Sequence, residues 1–323
     1  MYTFHLPPTN LPPRPARFLL NKNLKTRSQW KNRTENPDFG LRFSDAKIRL
    51  GITHLNYHTL GSKVQNHKMF NKLYFYPETY LIDKRNNTWK TMIQNIILEN
   101  QEDDIWFLKP ENGGRGVGII LLNKNSDFEA ELAQTNQSKY ILQKGVKNIH
   151  LFQNKKYDLR VHVVFVKKNR EIIPLLYPIA DVRLSPKVYE DQKLNRESIL
   201  TVQKEGNHET ISSNEIKEYQ KYFANLTKVM KDACKIVSAS ISANITKWED
   251  SVEFWITGFD LIMTNDGKFY VLEFNEFPNM FQKKQVHLHH RKIILGVLEN
   301  VVEEYLKNGN IKEDPFIKFD SKI

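Results

Sequence analysis

Over residues 157–166 apolar and polar positions alternate with a period of two. Leu159, Val161, Val163 and Phe165 fall on one side, and Asp158, Arg160 and His162 on the other. A strand with one face turned to a core has this pattern. Shorter runs predict strands over residues 76–82, 105–108, 117–122, 139–144, 171–176 and 181–184, with Pro174 marking an edge or a bulge. The period lengthens to that of a helix over residues 88–100, where Trp89, Met92, Ile93, Ile96 and Ile97 share a face. A longer stripe over residues 214–241 runs through Ile216, Tyr219, Phe223, Leu226, Met230, Ala233 and Val237, and predicts one long helix packed on the body of the chain. Residues 63–73 and 126–134 read as helices, the second capped by Ser126, and a final helix over 284–308 stops at Asn308-Gly309. Residues 190–213 are polar and irregular, long enough for a mobile functional loop. Strands and helices intermix, with several antiparallel hairpins, so the expected class is α+β, or mixed α/β.

Residues 1–40 break the pattern. Pro7, Pro8, Pro12, Pro13 and Pro15 argue against a regular helix or an inner strand, while Arg14, Arg17, Lys22, Lys25, Arg27, Lys31 and Arg33 face only Glu35 and Asp38. The reading is an extended basic arm, then a small N-terminal lobe over 41–102, a larger body over 103–310 and a tail over 311–323. The 323 residues carry 48 Lys and Arg against 37 Asp and Glu, a formal charge of +11 that draws anionic partners over long range. The one cysteine, Cys234, lies in the long helical stripe and reads as core, which excludes disulfide frameworks and Cys-based zinc sites. No apolar run approaches a bilayer span, and the N-terminus lacks the apolar stretch of a secretory signal; the expected setting is soluble, reducing and cytoplasmic.

Chemistry concentrates in residues 254–275. Two strand-like runs flank Thr264-Asn265-Asp266-Gly267-Lys268, and Asp-Gly is a favoured pair for a two-residue turn. Counting outward from that turn sets Met263 opposite Tyr270, Asp260 opposite Glu273 and Gly258 opposite Asn275. Opposed residues share a sheet face, so Asp260, Glu273 and Asn275 form one oxygen-rich cluster. Phe254, Phe259, Leu261, Leu272 and Phe274 surround it. Two opposed carboxylates there need an offsetting charge: Mg²⁺ supplies it, as would a shared proton or nearby lysines. His287, His289 and His290 lack Cys or acidic partners in the sequence and read as residues at the start of the last helix, not as metal ligands.

Residues 106–119 run strand, glycine-rich loop, strand, with Lys109, Gly113, Gly114, Arg115 and Gly116 in or beside the loop. Backbone N–H groups of such a loop can close on phosphate oxygens. It is neither a Walker loop nor a Rossmann turn, since no Gly-Lys-Ser/Thr precedes a helix and a strand follows. Together with the Asp…Glu-x-Asn hairpin, this loop resembles the ATP-grasp superfamily and, within it, the tubulin tyrosine ligase-like family. The likeness runs over residues 52–281 and includes Phe75-Tyr76-Pro77-Glu78-Thr79-Tyr80, the Gln143-Lys144 pair, Lys156-Tyr157-Asp158-Leu159-Arg160, Gly258-Phe259-Asp260 and Leu272-Glu273-Phe274-Asn275.

The resemblance implies an ATP-grasp fold and an ATP- and Mg²⁺-dependent ligase that adds an amino acid of the Glu, Gly or Tyr class to an acidic protein tail. By it, Lys109 and the Arg115-Gly116 turn hold the phosphates, Gln143, Lys144, Gly145 and Val146 line the adenine, and Lys156 and Asp158 touch nucleotide. Asp260, Glu273 and Asn275 carry the metal, while Arg160 and Arg183 position the carboxylate and the transferring phosphoryl group. The expected partners are a free amino acid and an acidic, tubulin-like acceptor, with no membrane. Nucleic acid fits least, because it leaves the Asp260/Glu273 pairing unexplained. An ATP-grasp kinase of a small polyanion and a non-catalytic relative are the rival readings. One departure is Ile199-Leu200-Thr201-Val202, where the family commonly has His-Leu-Thr-Asn.

Overall fold

The computed structural model describes residues 2–5, 27–32, 39–41, 50–52, 60–168, 170–190, 193–201, 209–245, 252–276, 278, 280 and 287–319. Their strands are β1 (Tyr2–His5), β2 (Trp30–Asn32), β3 (Phe39–Leu41), β4 (Leu50–Ile52), β5 (Thr79–Asp83), β6 (Trp106–Pro110), β7 (Ile120–Leu122), β8 (Lys139–Lys144), β9 (Leu151–Phe152), β10 (Lys155–Lys168), β11 (Glu171–Leu176), β12 (Asp181–Leu184), β13 (Glu209–Ser212), β14 (Val252–Met263), β15 (Phe269–Asn275) and β16 (Ile317–Lys318). The helices are α1 (Lys63–Phe70), α2 (Trp89–Leu98), α3 (Phe128–Ala133), α4 (Arg196–Ile199), α5 (Lys217–Lys221), α6 (Phe223–Asn244), α7 (His287–Gly296) and α8 (Glu304–Asn308), with a π-helical stretch, Val297–Glu303, joining the last two. The class is α+β.

Two sheets carry the fold. The smaller has the order β5-β8-β6-β7 and is antiparallel. Its core joins Ile82, Ile93, Ile97, Trp106, Leu108, Leu122 and Leu142, so the apolar face expected of α2 packs against β5, β6 and β8. In the larger sheet β10 and β14 lie side by side at the centre. β10 meets β12 at its start and β11 at its end, while β14 meets β15 at one end and β4 at the other.

The two faces of the large sheet differ. Leu159, Val161, Val163 and Phe165 pack beneath α6, against Leu226, Met230, Ala233, Cys234 and Val237. On the opposite face Val164, Val166, Phe254 and Ile256 meet Ile293, Ile294, Val297, Leu298 and Val301 of the C-terminal helix. The same face toward the start of β10 carries Asp158, Arg160 and His162. One surface is therefore apolar at one end and charged at the other.

Three expectations are corrected. Residues 214–241 are not one helix: a 3₁₀ turn over Ser213–Glu215 and the short α5 precede α6, with the break at Tyr222. There the Tyr222 ring packs against the tip of the β14–β15 hairpin, within 2.3 Å of where a Cβ on Gly267 would stand. The strand after the glycine loop begins at Ile120 instead of residue 117, because Gly116 and Gly118 take left-handed φ values of 69° and 74° and the chain coils through successive turns. The N-terminal segment contains an inner strand, since β1 lies between β2 and β3. β1 ends before Pro7, and the five prolines fall outside the described residues. Arg27 is tied to the body by Glu303 at 2.9 Å and Glu299 at 2.5 Å.

Candidate active site

The hairpin comes first. Asp260 pairs with Glu273 and Gly258 with Asn275, as counted from the sequence, but the turn differs. Thr264 N–H donates to Lys268 O and Gly267 N–H to Thr264 O, giving a three-residue loop with Gly267 at φ 76°. Met263 accordingly pairs with Phe269, not Tyr270, and Leu261 with Val271, not Leu272. A bulge between Asp260 and Leu261 takes up the extra residue and restores the expected pairing beyond it. Two departures cancel.

Arginines offset the buried carboxylate at the centre. Arg160 grips Asp260 through Nε–Oδ1 and Nη2–Oδ2, both 2.8 Å. Arg183 reaches the same carboxylate at 2.9 Å and donates from Nε to Asp158 Oδ1 at 2.6 Å. Thr201 completes Asp158 with a 2.5 Å bond to Oδ2. Asp158, Arg160, Arg183 and Asp260 are all buried. Burial alone would raise the Asp260 carboxyl, but the charges of Arg160 and Arg183 outweigh it and hold it well below the usual carboxylate range. Arg183, for which the resemblance implies a positioning role, is part of this network.

Glu273 and Asn275 open instead into a cavity of about 220 Å³, shared with Gly61, Lys63, Asn112, Gly113 and Glu276. Lys63, at the start of α1, donates to Gly113 O at 2.8 Å and lies 3.9 Å from Glu273. Burial pushes Glu276 up to about 7, although it accepts a 2.9 Å bond from Gly61 N–H. The donor set fits Mg²⁺: hard oxygens of Glu273 and Asn275, with Asp260 on the neighbouring strand. Without the ion Lys63 and the two arginines provide the offsetting charge, so the carboxylate pairing does not by itself demand a metal.

A second cavity, of about 480 Å³, lies between the two sheets and is lined in part by Ile105, Phe107, Val146, Ile149, Lys156 and Ile199. That volume suits a nucleotide-sized ligand. Lys156 and Lys109 converge over the Phe107 ring, their ammonium groups 5.0 and 5.5 Å from its centre. Burial lowers both lysines to about 8, with Lys63 and Lys156 lowering Lys109 further and Asp158 partly offsetting the effect at Lys156.

The other expected nucleotide residues divide. Gln143 is buried and accepts from Lys109 at 2.5 Å, so it aims that lysine. Lys144 turns away to Asp104 and Asn100, each at 2.7 Å. Gly145 lines the larger cavity, but its N–H is given to Ile105 O at 2.7 Å, and a Cβ there would come within 2.8 Å of that oxygen. Gly113 lines the small cavity, whereas Gly114, Arg115 and Gly116 line neither. Arg196 holds the glycine loop by donating to Ile119 O and Gly116 O. Lys63, Arg196 and Thr201 were missed from sequence. The only local signal was Gly61-Ser62-Lys63, a capped helix start with a cation.

The profile of the tubulin-tyrosine ligase family matches residues 51–312. Among curated proteins, tubulin glycylase 3C of Tetrahymena thermophila is 22% identical over 232 residues, covering 64% of this chain and 21% of its own length. Tubulin glycylase 3D of the same organism is 25% identical over 232 residues, covering 64% and 22%. A Caenorhabditis elegans protein named probable tubulin polyglutamylase ttll-9 is 22% identical over 219 residues, covering 62% and 52%. The chain thus spans about a fifth of the two glycylases and half of the polyglutamylase. The family match takes in both sheets' central strands, the charged face and the C-terminal helix, and on it this chain belongs to the tubulin-tyrosine ligase family.

Proposed function

We propose that this chain is an ATP-dependent ligase that joins an amino acid to a side-chain or terminal carboxylate of an acidic, tubulin-like protein tail. One observation carries the reading: a nucleotide-sized cavity lined by Lys156, whose ammonium shares the Phe107 ring with that of Lys109, lies beside the strand whose buried face brings Arg160 together with Arg183 on Asp260. The relatives are named glycylases and a polyglutamylase, which favours glycine or glutamate over tyrosine as the added residue.

The chemistry follows from the charges. Lys109 and Lys156 bind phosphate oxygens, and the apolar lining around Phe107, Val146 and Ile199 receives the base. A carboxylate oxygen of the acceptor forms a bond to the γ-phosphorus as the bond to the ADP oxygen breaks. The amine nitrogen then bonds the acyl carbon, loses a proton and expels inorganic phosphate. No protein nucleophile is required, since orientation and charge stabilisation lower the barrier. Arg160 and Arg183 present planar donors to the carboxylate and the transferring phosphoryl group. Glu273, Asn275 and Asp260 would hold Mg²⁺, which would offset the negative charge of the phosphates and of the leaving group.

The test incubates the chain with Mg-ATP, labelled glycine or glutamate, and Glu-rich tail peptides, measuring peptide label and ADP together. Both should appear, and both should be lost in Glu273→Gln while the fold remains. ADP formed only with a small polyanionic alcohol would establish the kinase reading instead. Absence of ADP with every acceptor and amino acid would reject the ligase.

A further inference from the structure

The histidines at the start of the C-terminal helix meet partners that sequence distance hides. His289 and His290 of α7 converge with His162 of β10 and Asp181 of β12, at the boundary between the apolar and charged halves of one sheet face. All four are buried, with relative exposures of 0% for His162, 1% for His290, 4% for Asp181 and 7% for His289. Their ligand atoms lie within 4.8 Å of one another. The Nε2 atoms of His162 and His290 stand 3.3 and 2.9 Å from Asp181 Oδ2. His289 Nε2 stands 2.6 Å from Asp181 Oδ1 without the alignment of a hydrogen bond, and is left without a hydrogen-bond partner.

We infer that His162, Asp181, His289 and His290 form a closed site for one zinc-class divalent ion that fastens the C-terminal helix to the charged sheet face. Three imidazoles crowding one carboxylate are poorly served by hydrogen bonds alone, as the His289 nitrogen shows. A tetrahedral ion with bonds of about 2.0–2.1 Å sets its ligands about 3.3 Å apart; the three histidine nitrogens stand 2.6–3.3 Å from the Asp181 carboxylate, and the whole set lies within 4.8 Å. Burial holds His162 neutral, down to about 4, in the form that offers a lone pair. Imidazole with one carboxylate selects zinc over magnesium, so this ion is chemically distinct from the one the Glu273 cavity fits. Four protein ligands leave no open position, which assigns the ion to structure and not to turnover. Its place is nevertheless next to the reaction: Asp181 pairs with Arg160 across the strands, and His162 is two residues along from it. The ion would stiffen the two strands that carry Arg160 and Arg183.

The test uses the full chain, expressed with added zinc and passed through gel filtration. Elemental analysis should find about one zinc per chain, retained in Glu273→Gln and falling below about 0.1 in His289→Gln and His290→Gln. Replacement by Co²⁺ should give the intense visible bands of tetrahedral nitrogen and oxygen ligation. Chelation should lower the melting temperature of the wild-type chain, which holds the test open even where a histidine variant fails to fold. Wild-type protein with less than about 0.1 zinc after refolding in excess ion, an octahedral Co²⁺ spectrum, or equal zinc in His289→Gln would each overturn the site.

Discussion

Arg183→Met removes a buried cation while keeping most of its volume. The two carboxylates it serves differ in what remains to them. Asp260 keeps the paired 2.8 Å bonds from Arg160, whereas Asp158 keeps the Thr201 hydroxyl among the described side chains. Breaking a buried ion pair by deleting one partner costs about 3–5 kcal/mol, mostly for the charge left behind. Asp158 should carry most of that cost here. With an unfolding entropy of about 2.1 cal/mol/K per residue, a loss of ~4 kcal/mol in a chain of 323 residues corresponds to a fall of about 6 °C in melting temperature. Asp158→Asn in the same molecule removes the stranded charge, so the double variant should recover about 1–3 kcal/mol relative to the sum of the two single changes. Urea and thermal unfolding of the four proteins measure this cycle. A cost below about 1 kcal/mol, as an exposed pair would show, or simple additivity, would refute the buried network.

Two further outcomes follow from the same geometry. Lys109 and Lys156, each near 8, are about half charged at pH 8, and phosphate beside them favours the protonated form. Mg-ATP binding at pH 8 should therefore take up about 0.5–1 proton, read by calorimetry in buffers of different ionisation heat, and affinity should fall as pH rises from 8 to 10; binding without proton uptake would remove the lysines from the phosphate site. Gly267→Ala puts a Cβ within 2.3 Å of the Tyr222 ring at a left-handed φ of 76°, and should cost about 3 kcal/mol in urea unfolding, less in a Tyr222→Ala background.

The central strands were legible from their runs of strand-forming residues and, in β10, from the alternation of side-chain type, although both faces of these strands are buried. Residues 171–176 and 181–184 match β11 and β12 to the residue, and the alternation of Leu159 to Phe165 names the face under α6. Legibility failed where a tertiary contact decided the outcome. Tyr222 fits the helical stripe yet breaks it, because its ring is needed at the hairpin tip. Asp260 and Glu273 could be paired from an Asp-Gly turn, but Arg183 and Lys63 reach them from segments whose approach no local pattern encodes. The histidines show the same limit: Asp181 and His162 lie more than a hundred residues before His289, so the acidic partner existed while sequence proximity denied it.

The bulge at Leu272 also bears on how this hairpin tolerates changes in length. Phe269 and Val271 face the core beneath α6, and Glu273 and Asn275 face the opposite way, although all four numbers are odd. The phase of the strand changes at one residue. A deletion at Leu272 would leave a regular ladder with Asp260 still opposite Glu273, so the strand holds one residue of slack. Its partner has none: losing a residue between Asp260 and Met263 would carry Asp260 to the apolar side. Insertions and deletions should therefore be survivable on the Glu273 strand and ruinous on the Asp260 strand, an asymmetry set by backbone geometry before any chemistry is considered.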